Sequence, residues 1–150
     1  MSDSFRNARG RRVVSRATAH ELGVVAHLLV AVDCQRVSGV IIGRGKKAQL
    51  VDWDQLSGFG ADAVMVVDES ALRSPLDDRE QRAANGKLEL LGARTLTDAG
   101  NEMGVIDDIT FDSASGALET LAIGDRQIPA GAIRGAGSYA VVIAASLDPA

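Results

Sequence analysis

Three aspartates fall within six residues, Asp107, Asp108 and Asp112, and would be the natural oxygen donors for a metal site. Strand geometry decides against it. Successive side chains of a strand point to opposite faces, so Asp107 and Asp108 diverge. Asp108 and Asp112 share a face but stand about 13 Å apart at roughly 3.3 Å per residue. A single cation bound at about 2.0–2.6 Å cannot use both without a bend in the chain. The stretch reads instead as the wet side of a β-hairpin. Its turn lies at residues 112–116, and its second strand runs from Leu118 to Ile123.

The remaining chemical residues are sparse. His20 and His27 are the only histidines and Cys34 the only cysteine. Their spacing fits no zinc-ligand pattern. His20 falls in a turn, exposed, while His27 lies inside an apolar strand as a satisfied, partly buried histidine. Cys34 excludes an intrachain disulfide, and the neighbouring charge of Asp33 disfavours a thiolate, so it reads as a plain surface or half-buried thiol. Gly43, Arg44, Gly45, Lys46 and Lys47 look like a phosphate loop. No helix pattern follows them, so the amide cradle of a helix N-terminus is missing and the segment reads as a solvated hairpin tip. No nucleophile elbow, H-E-x-x-H pair or phosphate-loop signature occurs. The expectation is a protein without catalytic residues, cofactor or metal.

Residues that suit binding are easier to find. Residues 1–16 hold five arginines against Asp3, whereas residues 88–150 hold nine acids against three arginines, so a basic arm precedes an acidic C-terminal half. Arg6, Arg9, Arg11 and Arg12 are the candidate contact residues of an arm over residues 1–12, expected to be largely solvated at its start. Either it is a leader, or it makes an electrostatic contact with an acidic surface, on a partner or on a neighbouring copy. In the second case serine replacements there should abolish partner binding or self-association while leaving thermal stability nearly unchanged. Trp53, between Asp52 and Asp54, is the other candidate: either it covers the open end of a barrel or it is a contact hot spot. The acidic body argues against direct nucleic-acid binding, and scarce aromatics argue against a stacking platform. The arm alone offers a weak nonspecific contact to RNA.

The elements that must position these residues are written twice. The 150 residues are 46% apolar and 24% charged, the composition of a globular chain with an aliphatic core. Residues 28–33, a turn ending at Gly39 and residues 40–43 parallel residues 107–112, Gly116 and residues 118–124. Residues 49–51 parallel 127–129, residues 56–60 parallel 133–137, and residues 64–66 parallel 141–143. The offset stays near 77–79, the signature of an internal repeat. Each copy has short strands with glycine at its corners, which predicts a small closed or nearly closed barrel. Between the copies, Ser74, Pro75 and Asp77 open a predicted helix at about 75–85, with Leu76 and Ala83 as its apolar contacts and Gly86 ending it.

The fold class expected is all-β: two tandem small barrels, residues 13–67 and 90–146, joined by a short helical linker at 68–89 and packed as a pseudo-twofold pair. Val24, Leu28, Val30, Val32, Val40, Ile42, Val64 and Val66 are the expected core of the first copy. Val105, Ile109, Phe111, Leu121, Ile123, Val141 and Ile143 are that of the second. No apolar run approaches the roughly 18 residues of a membrane span, and the N-terminus lacks the apolar core of a signal peptide, so a cytoplasmic protein is expected.

Both copies resemble PRC-barrel domains. The second carries the resemblance best, with Leu91 and Gly92 at its start, then Gly100, then residues 104–108 leading to Phe111 and Asp112, then Ile128 and Pro129. In the first copy the leading glycine is replaced around Ser15, and residues 27–29 stand where 106–108 stand. The resemblance implies a non-catalytic adaptor that binds a protein partner, with homo-oligomers possible. It leaves two alternatives: an accessory factor in RNA processing or ribosome maturation, and a peripheral membrane protein of the reaction-centre kind.

Overall fold

The computed structural model describes residues 2–43, 47–137 and 139–144. Runs rich in Val, Ile and Leu favour extended chain, and strands dominate. They are β1 (Ser2–Ser4), β2 (Arg12–Ser15), β3 (Glu21–Val30), β4 (Val37–Ile42), β5 (Gln49–Asp52), β6 (Leu56–Phe59) and β7 (Ala63–Val66), then β8 (Arg94–Thr97), β9 (Glu102–Val105), β10 (Asp108–Asp112), β11 (Leu118–Ile123), β12 (Arg126–Pro129), β13 (Ile133–Ala136) and β14 (Val141–Ile143). Two short helices accompany them, α1 (Phe5–Ala8) and α2 (Asp78–Ala84). The chain is mainly β, as its sequence predicts.

The first copy forms one six-stranded sheet in the order β5-β4-β3-β2-β7-β6. The second repeats that order in two pieces, β12-β11-β10 and β9-β8-β14-β13, because the ten-residue β3 is divided there into β9 and β10. In each copy one pair is parallel, β2 with β7 and β8 with β14. The repeat therefore holds, but its offset is not constant. Equivalent residues lie 82 or 81 positions apart in the first part of each copy (Gly10 with Gly92, Val40 with Leu121) and 77 apart in the second (Leu56 with Ile133, Val64 with Val141). The change falls between β4 and β5, which residues 43–48 separate in the chain, whereas only Gly124 and Asp125 separate β11 from β12. Arg44, Gly45 and Lys46 of the basic loop lie outside the described residues. The leading glycine of the first copy is Gly10, not a replaced position near Ser15. Gly10 and Gly92 have φ of +80° and +79°, which favours glycine, and donate their N–H groups to Val25 and Ile106.

Neither copy closes into a barrel. The edge strands β5 and β6 follow one another in the chain, yet a 3-10 turn over Trp53–Gln55 carries the backbone between them without ladder bonds. A turn over Ala130–Ala132 does the same for β12 and β13. The expected barrels are open, bent sheets.

The two copies meet about a local twofold. Val37 N–H donates to Gly116 O at 2.8 Å, and its equivalent Leu118 donates to Gln35 O at 2.9 Å, around an antiparallel bridge between Arg36 and Ala117. Such exchange of equivalent bonds is the pattern of an isologous contact, here within one chain. A single hydrophobic core runs through both copies. Three expected core residues are outside it: Val24, Val32 and Val105 are 44%, 81% and 49% exposed. Val24 and Val105 are equivalent positions, and after each the strand bends into its next pairing, so Val25 and Ile106 turn inward instead. Val32 lies beyond the end of β3 in the following turn.

The linker helix begins later than predicted. Asp77, not Ser74, is its N-cap, accepting the N–H of Glu80 at 2.8 Å, and Leu76 is solvent-exposed rather than packed. The C-terminus is as expected: Gly86 donates to Ala83 O and Lys87 to Arg82 O, with Gly86 at φ +78°. Ala83 and Ala84 cover Leu29, Ile41, Ala48 and Leu50, the outward apolar side of the first sheet. The matching side of the second copy is polar, with Thr110 and Thr120 hydroxyls 2.6 Å apart, and needs no lid.

Candidate functional site

The basic arm is not free. β1 pairs antiparallel with β10, matching Asp3 to Phe111, and so adds a strand to the second copy. Phe5 and Ala8 are buried. The arginines expected to meet a partner are held by acceptors of this chain. Arg6 donates from its backbone N–H to Asp108 Oδ1 at 3.1 Å and from its side chain to Asp107 O. Arg9 meets Glu89 at 2.5 Å, and that carboxylate also holds His27. Arg11, with its side chain only 8% exposed, bonds Asp3 at 2.6 Å and Gly60 O at 2.9 Å and lies 5.4 Å over the Phe59 ring. The expected electrostatic contact thus exists, but within the molecule. The first residues form a strap across the acidic half.

Trp53 is likewise turned inward. It stacks on Phe59 at 5.6 Å and meets Phe111 edge-on at 6.4 Å, while Phe5 and Phe59 also contact Phe111 edge-on. Gly116 lies beneath its indole, where an added Cβ would come within 3.0 Å of the ring. The ring joins the two copies rather than covering the end of one.

The other chemical residues resolve into structural roles. Asp107 Oδ2 accepts Gly124 N–H at 2.9 Å, Asp108 accepts the strap, and Asp112 caps its own turn by accepting Ala114 N–H at 2.8 Å. That turn bond is the first cause holding the Asp112 carboxyl below the usual range. His20 is exposed, 3.9 Å from Glu69. Cys34 is buried at φ +58°, and loss of hydration pushes its thiol up. Among the described residues no group of three or more His, Cys, Asp and Glu is placed to hold a metal, and no helix is long and apolar enough to cross a membrane.

What remains outward is a surface present twice. In the first copy Arg12 pairs with Val24 across β2 and β3, and Arg12 Nε meets Glu21 Oε1 at 3.1 Å. In the second, Arg94 pairs with Val105 across β8 and β9, and Arg94 Nε meets Glu102 Oε1 at 3.2 Å. Half-buried aliphatics complete each face: Val14 and Met65 in one, their equivalents Leu96 and Val142 in the other. Directly paired residues of neighbouring strands share a face, so each set is contiguous. The second face adds Tyr139, 70% exposed, whose hydroxyl accepts from Arg94 at 2.7 Å and whose ring lies 5.0 Å from the guanidinium. Of the candidate contact residues only Arg12 belongs here, with its side chain 74% exposed. Nothing in the sequence reading singled out Glu21, Arg94 or Glu102, and Val24 and Val105 were expected in the core. Their signal was present, since residues 21–24 read E-L-G-V and residues 102–105 read E-M-G-V.

Compared with models of known families and with curated proteins, the sequence matches none.

Proposed function

We propose that this chain is a non-catalytic binding module that docks protein partners through its two outward faces. The observation that carries the proposal is the duplicated surface itself. An arginine, a glutamate and an exposed valine recur in the same register on β2–β3 and β8–β9. Exposed arginine, valine and tyrosine beside half-buried aliphatics make the mixed composition of a protein contact. Two such faces related by a local twofold suit a partner that is itself paired or repeated, and two weak contacts then act at high effective concentration. The resemblance of each copy to PRC-barrel domains supports the same reading, since members of that family work as adaptors. An RNA-directed role draws less support, because Arg6, Arg9 and Arg11 are engaged by acceptors of the chain.

Photo-crosslinking tests the proposal. A photo-reactive residue placed at Val24 or at Val105 should capture the same protein from a cell extract. The yield should fall about tenfold or more when Arg12 and Arg94 are both changed to serine. A probe at Leu76, equally solvent-facing but on the linker, should not capture it. Capture from all three positions alike, or none from the two valines, removes the proposal.

A further inference from the structure

The local twofold exposes an inequality between its two sides. On one side Trp53, Phe59, Phe111 and Arg11 fill the junction of the copies. Their equivalents on the other side are Ala130, Ala136, Val30 and Ala93. Small residues replace three rings and a guanidinium, and a cavity of about 160 Å³ opens there. Its lining includes residues 28–32, Ala93 and Ala136, together with Arg79, Lys87 and Glu89, the last already engaged by Arg9 and His27.

The filled side also shows what such a place accepts. There the strap lays Ser2, Asp3 and Ser4 along β10, at Asp112, Phe111 and Thr110, and Phe5 packs edge-on against Phe111 at 5.7 Å. The matching stretch is residues 29–31, the end of β3 and the residue after it. Among the described residues, no strand pairs with that outer edge of β3. Its Val30 carbonyl instead accepts from the Arg79 side chain at 2.6 Å, and among the described residues no ion pair engages that guanidinium. Void, open strand edge and unpaired cation lie together.

We infer that this cavity is a binding slot for an extended peptide that carries an acidic residue and, two positions later, an aromatic one. The peptide adds a strand to the outer edge of β3, as β1 does on β10, and main-chain bonds supply its register. Its aromatic ring enters the void; a cavity of about 150 Å³ is known to hold a benzene ring. Its carboxylate takes Arg79, which leaves the Val30 carbonyl to the peptide N–H, just as Asp3 takes Arg11 on the filled side. The slot is separate from the two outward faces, so it stands or falls apart from the proposed docking role.

The experiment uses two blocked tetrapeptides, SDSF, which copies residues 2–5, and SDSA, titrated into the isotope-labelled full chain. SDSF should shift the backbone amides of residues 28–32 and of Ala136 and Gly137. SDSA should bind about tenfold more weakly or worse. Ala136→Phe, which places in the void the ring its twofold mate Phe59 provides, should abolish the shifts with no loss of melting temperature. Should that variant fold poorly, Ala136→Leu serves the same purpose. Arg79→Gln should weaken SDSF and SDSA alike, since both carry the aspartate. Equal shifts from both peptides, unchanged binding to the filled variant, or shifts at Thr110 and Phe111 because the peptide merely displaces the strap, would each overturn the inference.

Discussion

Arg73 ties the linker to the first sheet, and its chemistry makes a pH-dependent prediction. Its backbone exchanges two hydrogen bonds with Leu50, while its guanidinium meets Asp52 at 2.8 Å and Glu80 at 2.7 Å. The Arg73 bonds are the first cause holding the Glu80 carboxyl below the ordinary glutamate range; the Leu76 N–H adds to them and partial burial opposes. A lowered folded value means that the stabilisation is full above the unfolded value of about 4.3 and is lost as pH falls through the folded one. With the Glu80 side chain 14% exposed and Arg73 24%, some water screens the pair. Glu80→Gln should therefore cost about 1 kcal/mol at pH 7. Urea unfolding should show that cost shrinking below about pH 4, where protonated glutamate and glutamine become near equivalents. A cost that stays constant into acid would show that the bond, not the charge, matters. Little of this was legible in the sequence. The S-x-x-D pattern at Ser74 and Asp77 points to a helix start, but Asp77 is itself a strong cap, and Arg73 finds Asp52 only once β5 is folded.

At the scale of elements, the opening strap was the least legible part. Composition marks residues 1–12 as a charged arm, because a lone Phe5 among arginines carries no strand or helix period. What orders it lies about a hundred residues away, where β10 offers an edge, Phe111 offers a ring and Asp107 and Asp108 offer acceptors. The same holds for Val24 and Val105. Straight alternation through both strands would place them inward, whereas each strand bends where it leaves one partner for the next, which reverses the inward parity. Where no such bend intervenes, alternation reads correctly, as in β10 with Ile109 and Phe111 buried and in β11 with Leu121 and Ile123 buried. The strap's role makes a prediction opposite to that for a free arm. Replacing Arg6, Arg9, Arg11 and Arg12 by serine should lower the melting temperature clearly, chiefly through Arg11, whose loss leaves Asp3 half-buried without its cation. Arg11→Ser alone should account for most of the fall, on the order of 2–3 kcal/mol, and Arg12→Ser for little, since the Arg12–Glu21 pair is exposed. Differential scanning calorimetry of the two single variants decides; equal small effects would mean that the strap adds no stability.

The whole molecule follows from the repeat, whose existence and twofold pairing are visible in the sequence, and from a shared core, which is not. Strand patterns and corner glycines recur locally, so they can be read in one dimension. The junction is made by Phe5, Trp53 and Phe59 around Phe111, and nothing local links those four positions. Phe111 is completely buried, and each ring touching it comes from the strap or from the first copy. A second copy cut out alone therefore exposes that ring together with the strand edge that β1 covers, and loses the twofold bonds at Gln35 and Val37. Burying a phenylalanine is worth about 1.5–3 kcal/mol, and the aromatic contacts add about 0.5–1.5 kcal/mol each, out of the 5–15 kcal/mol typical of a whole domain. Residues 88–150 expressed alone should accordingly be unfolded or aggregated, although their strands repeat the order of a complete six-strand copy. The intact chain should unfold in a single transition. Trp53 fluorescence, which reports the first copy and the junction, should give the same urea midpoint as the loss of amide protection at Thr95 and Thr97 in β8. Two separate midpoints, or a folded 88–150 fragment, would mean that each copy holds its own core and that the aromatic junction is only a contact between them.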